Sequence, residues 1–115
     1  MQSTDVNTVL DKNQLRDITM DDPELMRDIV QALLVDTSSQ VGLIESAIRE
    51  QDSAQCIRLA HYSKGACANV GANRAADIFK TIEHKAKDGA FSDCSESLAS
   101  LVREMDLLRD EGATL

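Results

Sequence analysis

The sequence has no tryptophan, only three other aromatic residues (Tyr62, Phe79 and Phe91), a single proline at position 23 and five glycines. Strand hairpins need glycine- and proline-rich turns at short intervals, so this scarcity argues against an all-β chain. Long apolar runs are also missing. The longest falls far short of the roughly 18 residues of a transmembrane helix. The N-terminal stretch carries Asp5 and Asp11 and has no basic region leading into an apolar one, so no secretory signal is expected. The three cysteines, Cys56, Cys67 and Cys94, form no C-x-x-C pair. On one helix, Cys56 and Cys67 would stand about 16 Å apart along the axis, well beyond the roughly 7 Å a disulfide can span. Reduced, buried thiols in a cytoplasmic protein are the expectation.

Positive charge is the next shortage. Twelve Lys and Arg against twenty Asp and Glu leave a net charge of −8. Such a surface repels phosphate backbones and anionic lipid unless a local basic patch overrides it. The densest basic stretch, Lys80 to Lys87, is interrupted by Glu83. Neither nucleic acid nor membrane is therefore an expected partner. A basic docking rim on another protein suits this chain better.

What the 115 residues do have is helical material, rich in Ala, Leu, Asp, Ser, Arg and Glu, with 43% hydrophobic residues. That supplies one modest core and a single domain over 1–115, with residues 1–10 expected to be frayed. Asp11 with Gln14 reads as a capping box opening a short helix to about Ile18, with Leu15 and Ile18 buried. Asp21 with Glu24 reads as a second box, with Pro23 in the first turn, where its missing N–H costs nothing. From there to about Gln51, Met26, Val30, Leu33, Thr37, Val41, Ile44 and Ile48 recur at helical steps. Asp52 reads as a stop and Ser53 as a new N-cap for a third helix, Ala54 to Val70, closed by Gly71. A fourth, about Asn73 to Asp88, buries Ala75, Phe79, Ile82 and Ala86. A fifth, about Asp93 to Glu111, buries Leu98, Leu101, Val102, Met105 and Leu108. Four substantial helices with short connections predict an all-α fold, an antiparallel four-helix bundle with a short additional N-terminal helix.

The third helix carries the chemistry. At 100° per residue, Leu59, Ala60, Ser63, Cys67 and Val70 fall within about 60° of Cys56 and form its core face. His61 lies about 140° round and faces outward. Its neighbours one and two turns away are small: Gly65, Ala68 and Ala54. Lys64, at i+3, can lean towards the same spot. Glycine inside a helix costs roughly 1 kcal/mol against alanine, and no cap explains Gly65. At i+4 from an exposed imidazole it opens the ring to another protein, while the lysine offers charge to an anion formed there. Histidine titrates near 6.5, so much of it is a neutral nucleophile at cytoplasmic pH. No Asp or Glu stands at i±3 or i±4 of His61 to serve as a base, which fits reversible phosphoryl transfer better than hydrolysis. His84, among Asp77, Lys80 and Lys87, reads as a solvated face residue. Arg58 and Thr81 occupy the positions three before the two histidines, so the Glu-x-x-His pattern of di-metal bundles is missing.

The stretch His61-Tyr-Ser-Lys64-Gly65-Ala-Cys-Ala-Asn69-Val-Gly71-Ala72 resembles the H-x-x-K-G signature of histidine-containing phosphotransfer (HPt) domains, with the following G-A in register. The resemblance extends to the architecture of nearly the whole chain. Ser63 departs from it, since the family often has leucine two places after the histidine. The resemblance implies that His61 is the phosphoacceptor, that Lys64 holds phosphoryl oxygens and that Gly65 keeps the site open. It implies a phosphocarrier without autokinase activity, relaying phosphoryl groups between receiver-domain aspartates in a multistep two-component phosphorelay. Partners would be response-regulator receiver domains and a hybrid sensor histidine kinase, with the chain itself a cytoplasmic monomer. No cofactor is expected in this chain; magnesium would sit on the partner receiver domain. A non-catalytic helical adaptor and a receiver phosphatase or phosphate sink are the alternatives.

Overall fold

The computed structural model describes residues 8–115 and shows five helices and no strand among them: α1 (Lys12–Ile18), α2 (Pro23–Arg49), α3 (Ser53–Val70), α4 (Asn73–Lys87) and α5 (Phe91–Gly112). The expected all-α bundle is what the chain forms. Helices α2 to α5 run up and down through short connections, and α5 returns to pack on α2, which closes the bundle. Leu33, Ile44, Cys56, Ala60, Phe79, Ile82, Leu101 and Leu108 meet in one core.

Several boundaries differ from expectation for local reasons. Met20 and Asp21 both take left-handed backbone (φ 54° and 66°), which carries the chain one residue further before α2 begins. The N-cap is therefore Asp22 instead of Asp21, and its carboxylate accepts from the Glu24 and Leu25 amides at 3.0 and 3.3 Å. Asp52, not Ser53, caps α3 by accepting from the Gln55 amide. Helix α5 opens two residues earlier than Asp93, and Phe91 packs against the core. Ile18 is 50% exposed, since α1 is two turns long and Leu15 fills its one core position. Val102 is 48% exposed on the rim of a groove between α2 and α5, beside Val41, Ile48 and Leu98. Residues 1–7 of the stretch expected to be frayed lie outside the described residues. The remainder is docked: Leu10 is buried and the Thr8 carbonyl accepts from the Arg74 amide.

The tightest part of the bundle is the α3–α4 pair and its two-residue turn. Gly71 closes α3 in the left-handed region (φ 92°), and the Ala72 amide donates back to the Cys67 carbonyl at 2.9 Å. The first helix locks this turn. The Asp11 amide donates to the Gly71 carbonyl at 2.8 Å, and Gln14 Nε2 donates to the Ala68 and Asn69 carbonyls at 2.7 and 3.2 Å. Asp11 is thus the expected N-cap of α1, but Gln14 reaches α3 instead of completing a capping box.

All three cysteines are free and buried. Burial pushes the Cys56 thiol up to about 11 and the Cys67 thiol up to about 12. Neither is a thiolate near neutral pH, so neither is a ready nucleophile.

A Cβ on Gly71 would stand 2.9 Å from the Asp11 carbonyl oxygen, on backbone that L side chains rarely adopt. Gly71→Ala is expected to destabilise the bundle by more than about 1 kcal/mol. Urea unfolding measures it, and an unchanged midpoint would mean the turn is not strained by a side chain.

Candidate functional site

The site is built on the outer face of α3. Of the expected core face, Cys56, Leu59, Ala60, Ser63 and Cys67 are buried, while Val70, at the end of the helix, is half-buried; the His61 side chain is 67% exposed. Ser63 takes a core position with its hydroxyl lacking any hydrogen-bond partner among the described residues. A Cβ at Gly65 would meet nothing within 4 Å, so no packing inside the chain requires glycine there. Tyr62, beside the histidine, is anchored by its hydroxyl donating to Asp36 of α2 at 3.0 Å.

The group that organises the site comes from the neighbouring helix. Glu83 of α4 is 7% exposed, and its carboxylate lies under His61, with Nδ1 at 3.4 Å from both Oε1 and Oε2. Lys64 Nζ donates to Oε1 at 3.2 Å, and Lys87 Nζ lies 3.7 Å from Oε2. Burial alone would push the Glu83 carboxyl up. The hydrogen bond and charge of Lys64, followed by those of His61, outweigh burial and hold it below the ordinary carboxylate range. Glu83 is therefore ionised near neutral pH and can only accept. A favourable contact then requires Nδ1 to carry a proton, and in the neutral form of the exposed ring that leaves the Nε2 lone pair free. His61 and Lys64 thus share one carboxylate, which α4 supplies from outside the i±3 and i±4 positions of α3.

His84 lies on the exposed side of α4, and its side chain makes no hydrogen bond or ion pair with this cluster among the described residues. Nor do three His, Cys, Asp or Glu side chains gather among those residues in a way that could hold a metal ion. No helix is long and apolar enough to cross a membrane there.

The chemistry open to this arrangement is narrow. An exposed, neutral imidazole with one nitrogen fixed as donor can attack an electrophile through the other. The Glu83 carboxylate lies where it would stabilise a positive charge on that ring, and the Lys64 ammonium stands one turn away. The family model of the Hpt domain matches residues 28–111, which takes in α3, α4, His61, Lys64, Gly65 and Glu83. The chain belongs to the Hpt domain family. Members of that family are histidine phosphotransfer domains of two-component signalling, phosphocarriers that exchange phosphoryl groups with receiver domains and histidine kinases. The fold has a solved counterpart in the crystal structure of histidine-containing phosphotransfer protein B (HptB) from Pseudomonas aeruginosa PAO1. The two superpose with a TM-score of 0.84 over 94% of each chain at 19% sequence identity. No curated protein sequence matches the chain.

The buried carboxylate gives this Hpt domain a defined acid response. Glu83 has its folded-state value lowered, so its contribution is present above the ordinary value of 4.5 and is lost as pH falls through the lowered one. At neutral pH, Glu83→Gln is expected to cost about 1 kcal/mol, a charge-assisted contact discounted for its partly exposed partners. Below that window, wild type and variant should converge. Urea unfolding at neutral and acid pH measures both, and a gap that stays constant with pH would contradict an ionised, paired Glu83.

Proposed function

We propose that His61 is the phosphoacceptor of a single Hpt domain spanning this chain, which carries phosphoryl groups between receiver-domain aspartates in a multistep relay. The Nε2 lone pair forms the N–P bond while the acyl-phosphate P–O bond of the donor breaks, and the donor aspartate leaves as its carboxylate. No proton has to move, because Nδ1 keeps its own and the ring becomes a cation facing Glu83. The return step, onto a second aspartate, is the same reaction reversed. Phosphoryl transfer of this kind asks mainly for positioning and charge stabilisation. The observation that carries the reading is the contact of Glu83 with Nδ1 beneath a ring that is 67% exposed.

Lys64 serves the phosphoryl oxygens, and Gly65 clears the approach of the partner. Magnesium belongs to the carboxylates of the partner receiver domain. The chain acts as a cytoplasmic monomer without autokinase activity, supplied by a hybrid sensor histidine kinase. Incubation with a phosphorylated receiver domain separates the possible roles. Label should move to this chain. An unchanged receiver would indicate an adaptor, and free phosphate a phosphatase or sink.

Two substitutions test the assignment of the acceptor. His61→Gln is expected to abolish acid-labile, alkali-stable phosphorylation with the fold retained, since the ring is exposed. His84→Gln should accept label like the wild type. Persistent label in His61→Gln would place the acceptor elsewhere.

Lys64 and Gly65 make separable contributions. Lys64→Ala should slow transfer by about 1–2 kcal/mol of activation free energy, the scale of one charge-assisted hydrogen bond near solvent. Gly65→Ala should stabilise the helix by up to about 1 kcal/mol, because alanine loses less backbone freedom and meets no neighbour. The same change should slow transfer from a protein donor, and Gly65→Leu should slow it further, with little effect on labelling by phosphoramidate. Equal rates for Gly65→Leu and wild type with a receiver would contradict the access role.

A further inference from the structure

The two lysines on Glu83 occupy different oxygens. Lys64 Nζ takes Oε1 at 3.2 Å and Lys87 Nζ stands 3.7 Å from Oε2, with the Glu83 side chain 9% exposed. Lys64 can therefore leave without disturbing Lys87. The two also come from different helices. Lys64 stands one turn from His61 on α3 and can turn towards a group on the ring. Lys87 lies one turn beyond Glu83 on α4, in the favourable order of acid before base at i,i+4.

The charge of the cluster changes with the second lysine. Lys64 and Lys87 against Glu83, with a neutral His61, leave a surplus of one positive charge. Accepting a phosphoryl group brings in a net charge of about −1, as a phosphoryl dianion plus the proton-bearing ring cation. The loaded site is then neutral. Without Lys87 the empty site would be neutral and the loaded one negative. A turn of Lys64 towards the phosphoryl oxygens would also leave a nearly buried carboxylate facing only the ring, and such a carboxylate is costly.

We propose that Lys87 is a second cation of the phosphoryl site, holding Glu83 while Lys64 turns to the phosphoryl group and thereby shifting the transfer equilibrium towards phosphorylated His61. This rests on His61 being the acceptor. Lys87 acts through Glu83 and is a positioning residue; the effect belongs to the equilibrium between donor aspartate and His61 more than to the rate.

A cation in the last turn of a helix also favours the helix dipole, so the test needs a control at the same helix end. Lys85 supplies it: the same last turn of α4 and the same charge, but paired with Asp93 of α5 at 3.9 Å. The experiment measures the equilibrium partition of label between the full chain and a phosphorylated receiver domain for wild type, Lys87→Gln, Lys87→Arg and Lys85→Gln. Lys87→Gln should lower the ratio of phosphorylated chain to phosphorylated receiver about three- to tenfold. Lys87→Arg should restore it, and Lys85→Gln should match the wild type. In the unphosphorylated protein, a carbon-13 titration of the Glu83 carboxyl should move upward in Lys87→Gln and stay in place in Lys85→Gln. Label on the wild type with equal partition in the two glutamine variants would overturn the role of Lys87 alone. A wild type that takes no label would overturn that role together with the reading it rests on.

Discussion

The close antiparallel packing of α3 on α4 is the constraint on which the site depends. Four of the five buried residues of α3 are small, namely Cys56, Ala60, Ser63 and Cys67, and α4 answers with Ala75, Ala76 and Ala86 around Phe79 and Ile82. Small side chains let two helix axes approach. The turn at Gly71 and Ala72 fixes their register, and α1 fixes the turn by bonding the last carbonyls of α3. That register brings Glu83 beneath His61. The glycine that ends α3 and the glycine inside it stand in different surroundings: at Gly71 the backbone conformation and a close approach oppose a side chain, whereas a Cβ at Gly65 would meet nothing within 4 Å.

Charge is distributed to the same end. The chain is strongly acidic, yet α3 contains Arg58 and Lys64 and no Asp or Glu at all. Acidity elsewhere maintains solubility and discourages polyanions. On the α3 side, the single buried carboxylate is matched by two lysines and a histidine. An anion can be accepted at this spot on a molecule that would otherwise repel it.

Much of this was legible from residue order, and the parts that were not share a cause. The helical stripes, the outward face of His61 and the open space at Gly65 follow from periodicity within one helix. Glu83 is 22 residues from His61, and their contact exists only once α4 folds back on α3. One signal was present. Glu83 stands four residues after Phe79 and three before Ala86, inside the apolar stripe of its own helix, where an unpaired charge is seldom found. In residue order alone it stands as a break in the Lys80–Lys87 run. Glu104 is a parallel case, buried within the stripe of α5 and met by Arg74 at 2.9 Å. The shift of the α2 cap from Asp21 to Asp22 has a different origin, because two left-handed residues in succession are not encoded by any glycine.

In the proposed function, Glu83 holds the Nδ1 proton of His61 and so directs phosphorylation to Nε2. Nitrogen-15 and phosphorus-31 NMR of the phosphorylated protein, with histidine labelled in the ring, tests it most directly. A one-bond coupling between phosphorus and Nε2 of His61, with Nδ1 protonated, is expected. Phosphorus coupled to Nδ1, or to a ring other than His61, would contradict it.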